Sequence, residues 1–317
     1  MISILLVKTS SLGDVVHNLP VISDIRRNVP GAAIDWLVEQ SYDAIPRLHP
    51  GVRTVIPVNV RRWRTGWWRA ETRADIHMAI ARLRANHYDA IIDTQGLMKS
   101  ALVARAAHGP RYGLDWHSAR EPLGWLYDRT FRVPWTLHAV ERNRELVAQA
   151  LGYRRSSMID YGVESHGCAV RTGSPYAVLL HSTSARAKLW REDDWVTVAQ
   201  RLVANGMRIV LPWGNTTERA RSERLASAMT NAAVPERLSL DAAAQLLAGA
   251  ALVIGLDTGL THLAGAFGVP TVALYVATDP AATGLYGCPR GVNLGGKRRP
   301  PSTGEVMQAV SDVLSSA

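Results

Sequence analysis

The sequence has no apolar run of the roughly 20 residues that a helix needs to cross a bilayer. It is also poor in cysteine, with two in 317 residues, Cys168 and Cys288. Neither stands near another Cys or a paired His at zinc-site spacing, so no metal centre is expected and both thiols read as reduced. No G-x-G-x-x-G follows a strand-like run, and no G-x-x-x-x-G-K-[ST] occurs, which argues against a nicotinamide dehydrogenase and a P-loop ATPase. Acidic residues are outnumbered, 27 against 36 Lys and Arg, for a net charge of +9. That balance favours an anionic partner: nucleic acid, an anionic membrane surface or a phosphorylated ligand. The opening run, residues 2–7, has no basic residue before it and ends at Lys8. It reads as a first β-strand rather than a signal peptide, so a cytoplasmic protein is expected.

What is present is alternation. Strand-like runs at 2–8, 34–39, 54–58 and 90–93 alternate with helical patterns at 15–28, 73–86, 97–107 and 138–151, the last closed by Gly152. Residues 154–175 break the pattern with Gly162, Gly167, Gly173 and Pro175. The alternation then resumes, with strands expected at 177–180, 208–211, 252–255 and 271–275, and helices at 195–204, 218–229, 240–247, 260–267 and 306–314. This βα rhythm predicts an α/β fold of two doubly wound, Rossmann-like domains facing a central cleft. The expected division is residues 1–165 and 166–317, with the last helix packing back on the first domain.

Four segments carry candidate chemistry. After the first strand comes Lys8-Thr9-Ser10-Ser11-Leu12-Gly13-Asp14. The Asp14 carboxylate suits a general base for a substrate hydroxyl, and equally a helix N-cap. After the strand at 177–180 come His181, Ser182, Thr183 and Ser184, then Lys188, a set that suits a phosphate or an ordinary polar loop. Glu218, after the Pro212-Trp213-Gly214 turn, opens a helix, where an acid serves the dipole or holds a ribose diol. The third segment, Gly255-Leu256-Asp257-Thr258-Gly259-Leu260-Thr261-His262, joins a buried strand to an apolar helix. Amides at that helix start form an anion site, with His262 in reach and Asp257 free for sugar hydroxyls. The alternative is a capping Asp257 and a solvated His262. Fourth, Arg61-Arg62-Trp63-Arg64 and Trp67-Trp68-Arg69 interleave guanidinium with indole, which suits an anionic amphiphile, single-stranded nucleic acid or a solvated basic loop.

Together these segments resemble the bacterial lipopolysaccharide heptosyltransferases, in KTSSLGD at 8–14, RRWR at 61–64, DTQGLMKS at 93–100, DWHSAREP at 115–122, LPWG at 211–214 and DTGLTH at 257–262. The likeness runs from the first strand into the last helix. It implies the glycosyltransferase B fold and metal-free, inverting transfer of L-glycero-D-manno-heptose from ADP-L-glycero-β-D-manno-heptose, with no cofactor. The implied acceptor is the inner Kdo of Kdo2-lipid A, with an already heptosylated core as the alternative. By the same resemblance the first domain takes the acceptor and the second the ADP-heptose. Asp14 matches the catalytic base. Thr183, Ser184, Lys188, Glu218, Leu238, Asp257, Thr258, Gly259 and His262 match donor positions, and Ser11, Arg61, Arg62, Arg64 and Arg120 acceptor positions. The implied protein is a monomer resting peripherally on the cytoplasmic face of the inner membrane, with no nucleic-acid partner. Two departures stand out: Ala185-Arg186-Ala187 where the family often carries acids, and Thr261 for a usual Ser.

Overall fold

The computed structural model describes residues 2–163, 174–183 and 185–315. The expected boundary at 165/166, with Gly167, Cys168 and Gly173, lies outside them, as does Ser184. The chain forms two compact units, Met1–Val163 and Glu164–Ala317.

In chain order, unit 1 holds β1 (Ser3–Val7), α1 (Leu12–Val16), α2 (Leu19–Asn28), β2 (Ala33–Glu39), α3 (Ala44–Arg47) and β3 (Val52–Val58). There follow α4 (Val60–Gly66), α5 (Ala70–Arg84), β4 (Ala90–Asp93), α6 (Met98–Ala104), β5 (Arg111–Leu114), β6 (Arg129–Phe131) and α7 (Ala139–Leu151). Its six-stranded sheet has the order β3-β2-β1-β4-β5-β6, all parallel. The central strands are apolar on both faces, as helices on both sides require. Ile4, Leu5, Leu6 and Val7 are fully buried.

Unit 2 holds β7 (Tyr176–Leu180), α8 (Glu192–Ala204), β8 (Arg208–Val210), α9 (Thr216–Ser227), β9 (Ala232–Ala233) and α10 (Leu240–Ala248). It continues with β10 (Leu252–Leu256), α11 (Gly259–Ala266), β11 (Thr271–Tyr275), α12 (Pro280–Thr283), β12 (Gly291–Gly295) and α13 (Thr303–Ser315). Its sheet order, β12-β11-β10-β7-β8-β9, is also parallel throughout and repeats the winding of unit 1. In each unit the order reverses between two central strands, β1 and β4 or β7 and β10. Outside the carboxyl ends of such a pair is where open α/β sheets bind ligands. The segments at 8–14 and 93–100 leave one pair, and those at 181–188 and 257–262 leave the other.

Three expectations change. The helix expected at 15–28 is two helices, because Pro20, at the start of α2, cannot donate to a continuous ladder. The Arg-Trp run is not a loop but helix α4. Short strands β5, β6, β9 and β12 were not expected; runs of two to five residues, with glycine inside β5 and at both ends of β12, give no readable alternation. Gly152 closes α7 in the left-handed conformation, at φ 75°. Helix α13 packs through Val306, Ala309, Val310 and Val313 into the unit 2 core.

Candidate functional site

In unit 1 the loop after β1 is held from the neighbouring β4–α6 connection. Gln95 Oε1 accepts the Thr9 and Ser10 backbone N–H groups, at 3.1 Å each. Lys99 Nζ donates to Ser10 Oγ at 2.6 Å. That connection is itself pinned by buried Asp93. Its Oδ1 accepts the Gln95 and Gly96 N–H groups at 2.8 and 3.2 Å, and its Oδ2 accepts Ser100 Oγ and Tyr127 OH at 2.8 and 2.9 Å. Burial raises the Asp93 pKa, and these four bonds oppose the rise. Gly113 makes the arrangement possible, since a Cβ there would overlap the Tyr127 ring.

Asp14 is not the N-cap of α1; Ser11 is. Asp14 stands three residues on and reaches back. Its Oδ2 accepts the Ser11 N–H at 2.8 Å and Ser11 Oγ at 2.9 Å. A carboxylate has about four acceptor sites, so this bracing fixes Asp14 without saturating it. Asp14 lines an open hollow with Lys8, Gln95, Arg120, Arg142 and Asn143. The Arg142 guanidinium lies 3.5 Å over the Trp135 ring and donates to Ser118 O at 2.6 Å. Burial, then the nearby Arg120 charge, lower its pKa to about 10. One carboxylate among three cations can hold an anionic, hydroxyl-bearing molecule and take a proton from it.

Arg61, Arg62 and Arg64 are exposed on α4. Trp63 turns inward, donating Nε1 to Asp75 Oδ2 at 2.8 Å and packing on the core. Of the indoles in this run, Trp67 and Trp68 stay exposed, at 64% and 57%. Arg62 pairs with exposed Glu71 at 3.4 Å, a contact of little energetic weight.

In unit 2 the centre is Asp257, at the end of β10. Its Oδ2 accepts Lys188 Nζ and Thr278 Oγ1, both at 2.8 Å, and its Oδ1 lies 3.5 Å from His262 Nε2. Burial pushes the Asp257 pKa up, but hydrogen bonds from His262, Lys188 and Thr278, with the Lys188 charge, outweigh it and hold the carboxyl well below the ordinary range. Thus Asp257 is no cap, and His262 is buried rather than solvated. Thr258 precedes α11, and the first intrahelical bonds come from Thr261 and His262 N–H to Thr258 O. The N–H groups of Thr258, Gly259 and Leu260 stand before that ladder, as at any helix start. Gly255 lets Thr261 approach, since a Cβ there would collide with Thr261 Oγ1; that hydroxyl donates to Leu256 O at 2.6 Å.

The loop after β7 begins with buried His181, engaged by Ser222 Oγ at 2.8 Å and Ser182 Oγ at 2.9 Å. Burial, then the Arg221 charge, bring its pKa down to about 4, so it is neutral at pH 7. Thr183 is half-buried beyond it. Glu218 is not the N-cap of α9; Asn215 is, its Oδ1 accepting the Glu218 N–H at 3.0 Å, and Glu218 reaches back, Oε2 accepting the Gly214 N–H at 2.7 Å and Oε1 accepting Asn215 Nδ2 at 2.8 Å. Leu238 is half-buried just before α10.

The structure therefore gathers Lys188, Asp257, Thr258, Gly259 and His262 around the ends of β7 and β10, and Ser11, Asp14 and Arg120 around those of β1 and β4. Sequence reading missed Arg142, Asn143, Gln95 and Thr278. Polar Asn143 and Arg142 within the largely buried α7 were the readable signal; nothing local marked Thr278. Among the described residues no group of three or more His, Cys, Asp or Glu could hold a metal ion.

The chain resembles known proteins over most of its length. The family model described as "Glycosyltransferase family 9 (heptosyltransferase)" matches residues 76–306. The chain is 45% identical to lipopolysaccharide heptosyltransferase 1 of Salmonella typhimurium, over 90% of this chain and 91% of that protein. It is 46% identical to the protein of that name from Pseudomonas aeruginosa, over 90% of this chain and 81% of that protein. Among solved structures, the E. coli heptosyltransferase WaaC with ADP superposes with a TM-score of 0.92 at 39% identity, covering 98% of this chain and 100% of that one.

Proposed function

The chain belongs to glycosyltransferase family 9, the heptosyltransferases, and from that premise we propose that it transfers L-glycero-D-manno-heptose from ADP-heptose to the inner Kdo of Kdo2-lipid A. The observation that carries this reading is the 39% identity and full-length likeness to a heptosyltransferase solved with ADP. A second structure of that protein holds ADP-2-deoxy-2-fluoro heptose.

In this reading unit 2 takes the donor. Lys188, His262 and the amides of Thr258, Gly259 and Leu260 hold the diphosphate, where fixed positive charge stabilises the departing ADP. Lys188 gives one of its three N–H donors to Asp257 and keeps two for phosphate oxygens. Asp257, Thr258 and Gly259 contact the heptose. Glu218 holds the ribose, Leu238 the adenine side, and Thr183 and Ser184 are further donor-binding residues. No metal or cofactor enters the scheme.

Unit 1 takes the acceptor. Ser11, Arg61, Arg62, Arg64 and Arg120 meet its carboxylates and phosphates. Asp14 accepts the proton of the Kdo hydroxyl as that oxygen bonds to heptose C1. The C1–phosphate bond breaks, ADP leaves with its electron pair, and the anomeric centre inverts. Arg61, Arg62, Arg64, Trp67 and Trp68 suit a peripheral seat on the cytoplasmic face of the inner membrane, where charge meets headgroups and indole meets the interface. The enzyme works as a monomer. Mass spectrometry of Kdo2-lipid A incubated with ADP-heptose and protein tests the reading. A product heavier by one heptose is expected; an unchanged acceptor overturns it.

A further inference from the structure

Helix α7 carries two inward arginines, and the fold treats them differently. Arg144 is fully buried and takes the carboxylates of Asp24 and Glu141 as well as the Ser156 and Met158 carbonyls. That is what a desolvated guanidinium needs to serve a fold: opposite charge and a full set of acceptors. Arg142 is half-buried and has neither. It donates to Ser118 O at 2.6 Å and lies 3.5 Å over the Trp135 ring. Among the described residues no carboxylate pairs with it. One of its five N–H donors is engaged, which leaves four.

Both of its supports are braced by one turn. Asp115 Oδ1 accepts the Ser118 N–H at 2.9 Å, and Ser118 Oγ accepts the Val133 N–H at 2.8 Å. Trp135 donates Nε1 to His117 O at 2.9 Å. The 115–118 turn therefore holds the carbonyl that Arg142 donates to and the indole that it lies on. A guanidinium fixed in this way keeps its N–H groups in one plane, the form that takes a carboxylate through two parallel hydrogen bonds. Arg142, Trp135 and Ser118 line the same hollow as Asp14. Lys8 lines it too, but its ammonium is engaged by Thr94 O at 2.7 Å and Asn143 Oδ1 at 3.2 Å. Burial and then the Arg120 charge bring the Arg142 pKa down only to about 10, so the cation persists at pH 7.

We propose that Arg142 binds the sugar carboxylate of the acceptor: its guanidinium, held in plane by Trp135 and Ser118, seats a sugar acid in the hollow of Asp14 and selects acidic over neutral sugars. The inference rests on the reading of the acceptor as Kdo. In such a sugar acid the carboxylate and the hydroxyls belong to one ring, so a carboxylate on Arg142 and a hydroxyl on Asp14 fix that ring at two points. A neutral sugar in the same place leaves a half-buried cation without its counter-charge, which is the penalty that discriminates. The phosphates of the lipid part carry charge as well, but they stand outside the sugar acid and do not orient its hydroxyl.

The test measures kcat/KM for the acceptor in wild type, Arg142→Met and Arg142→Lys. Three acceptors are compared: Kdo2-lipid A, the same molecule with its sugar carboxylates converted to amides, and the same molecule without its phosphates. On the two acceptors that keep the carboxylates, Arg142→Met should lose roughly 10- to 100-fold, with KM for ADP-heptose unchanged within about threefold. Arg142→Lys keeps the charge but not the fork, and should lose at least about threefold. On the amide the wild type falls and the variants fall no further, so the three proteins agree within about threefold. Thermal unfolding reports whether each variant is folded, and Arg142→Lys carries the test should Arg142→Met fail that check. A loss by the same factor on all three acceptors marks Arg142 as structural and overturns the inference. So does a loss that vanishes on the phosphate-free acceptor, and so do variants as active as wild type. A wild type that leaves Kdo2-lipid A unchanged overturns instead the reading on which the inference rests.

Discussion

Replacing Asp257 by Asn changes almost nothing in shape and removes one charge from the centre of unit 2. The carboxylate takes Lys188 Nζ and Thr278 Oγ1 at 2.8 Å each and His262 Nε2 at 3.5 Å, and its side chain is 12% exposed. The amide offers one acceptor oxygen where the carboxylate offers two, so a donor is left unmatched beside a half-buried ammonium. Charge-assisted bonds contribute about 1.5–3 kcal/mol each and do not add fully, which places the loss at about 2–4 kcal/mol. For a unit of this size that is a fall in Tm of about 5–12 °C. The pH dependence follows from the sign of the shift. The folded-state pKa of Asp257 is depressed, because the His262, Lys188 and Thr278 bonds outweigh the rise from burial. Its stabilisation is therefore full above the unfolded value of about 3.9 and is lost as the pH falls through the folded value. Calorimetry of both proteins from about pH 8 down to pH 3 should show a constant gap above about pH 5 that narrows below about pH 4. Equal Tm values at pH 7, or a gap as wide at pH 3 as at pH 7, would refute the reasoning.

Two further outcomes concern stability. Arg144, fully buried, binds Asp24 twice at 2.7 and 3.0 Å, Glu141 at 3.0 Å, and the Ser156 and Met158 carbonyls at 2.9 and 2.8 Å. Arg144→Met leaves buried Asp24 with only the long contact to Arg27 at 3.8 Å, while Glu141 keeps Arg155, and should cost unit 1 about 3–5 kcal/mol, read from the urea midpoint; a loss below about 1 kcal/mol contradicts that. His181 has its pKa lowered from 6.5 to about 4, chiefly by burial, so the unfolded chain takes the proton first and stability falls as the pH drops below about 6.5. His181→Gln should flatten the decline in unit 2 stability between about pH 7 and pH 5, by up to about 2 kcal/mol; an unchanged slope contradicts it.

Much of this was legible in the residues. Both sheets follow from the apolar runs of β1, β4, β7 and β10, whose burial on two faces leaves no other placement. The constellation around Asp257 was legible because a strand, a glycine turn and an apolar helix stand together at residues 255–262, and Lys188 was found by its hydroxyl-rich surroundings. Roles were harder to assign where one residue type serves two purposes. Asp14 and Glu218 both sit in first turns, and only coordinates show that neither is the N-cap and that Asp14 reaches back to Ser11 and Glu218 to Gly214 and Asn215. Long-range contacts left no local trace: Thr278 meets Asp257 across 21 residues, and Asn143 meets Lys8 across 135. Helix α4 was hidden because its arginines mask an inward face of Val60 and Trp63.

The central claim is that Asp14 performs the proton transfer while unit 2 holds the donor independently of it. The most direct test is one pair of measurements on Asp14→Asn: single-turnover heptose transfer to Kdo2-lipid A, and ADP affinity by calorimetry. Transfer should fall by about 10²–10⁴-fold, the share of a general base, with ADP affinity unchanged within about threefold. Transfer at the wild-type rate, or ADP affinity lost along with turnover, would contradict the account.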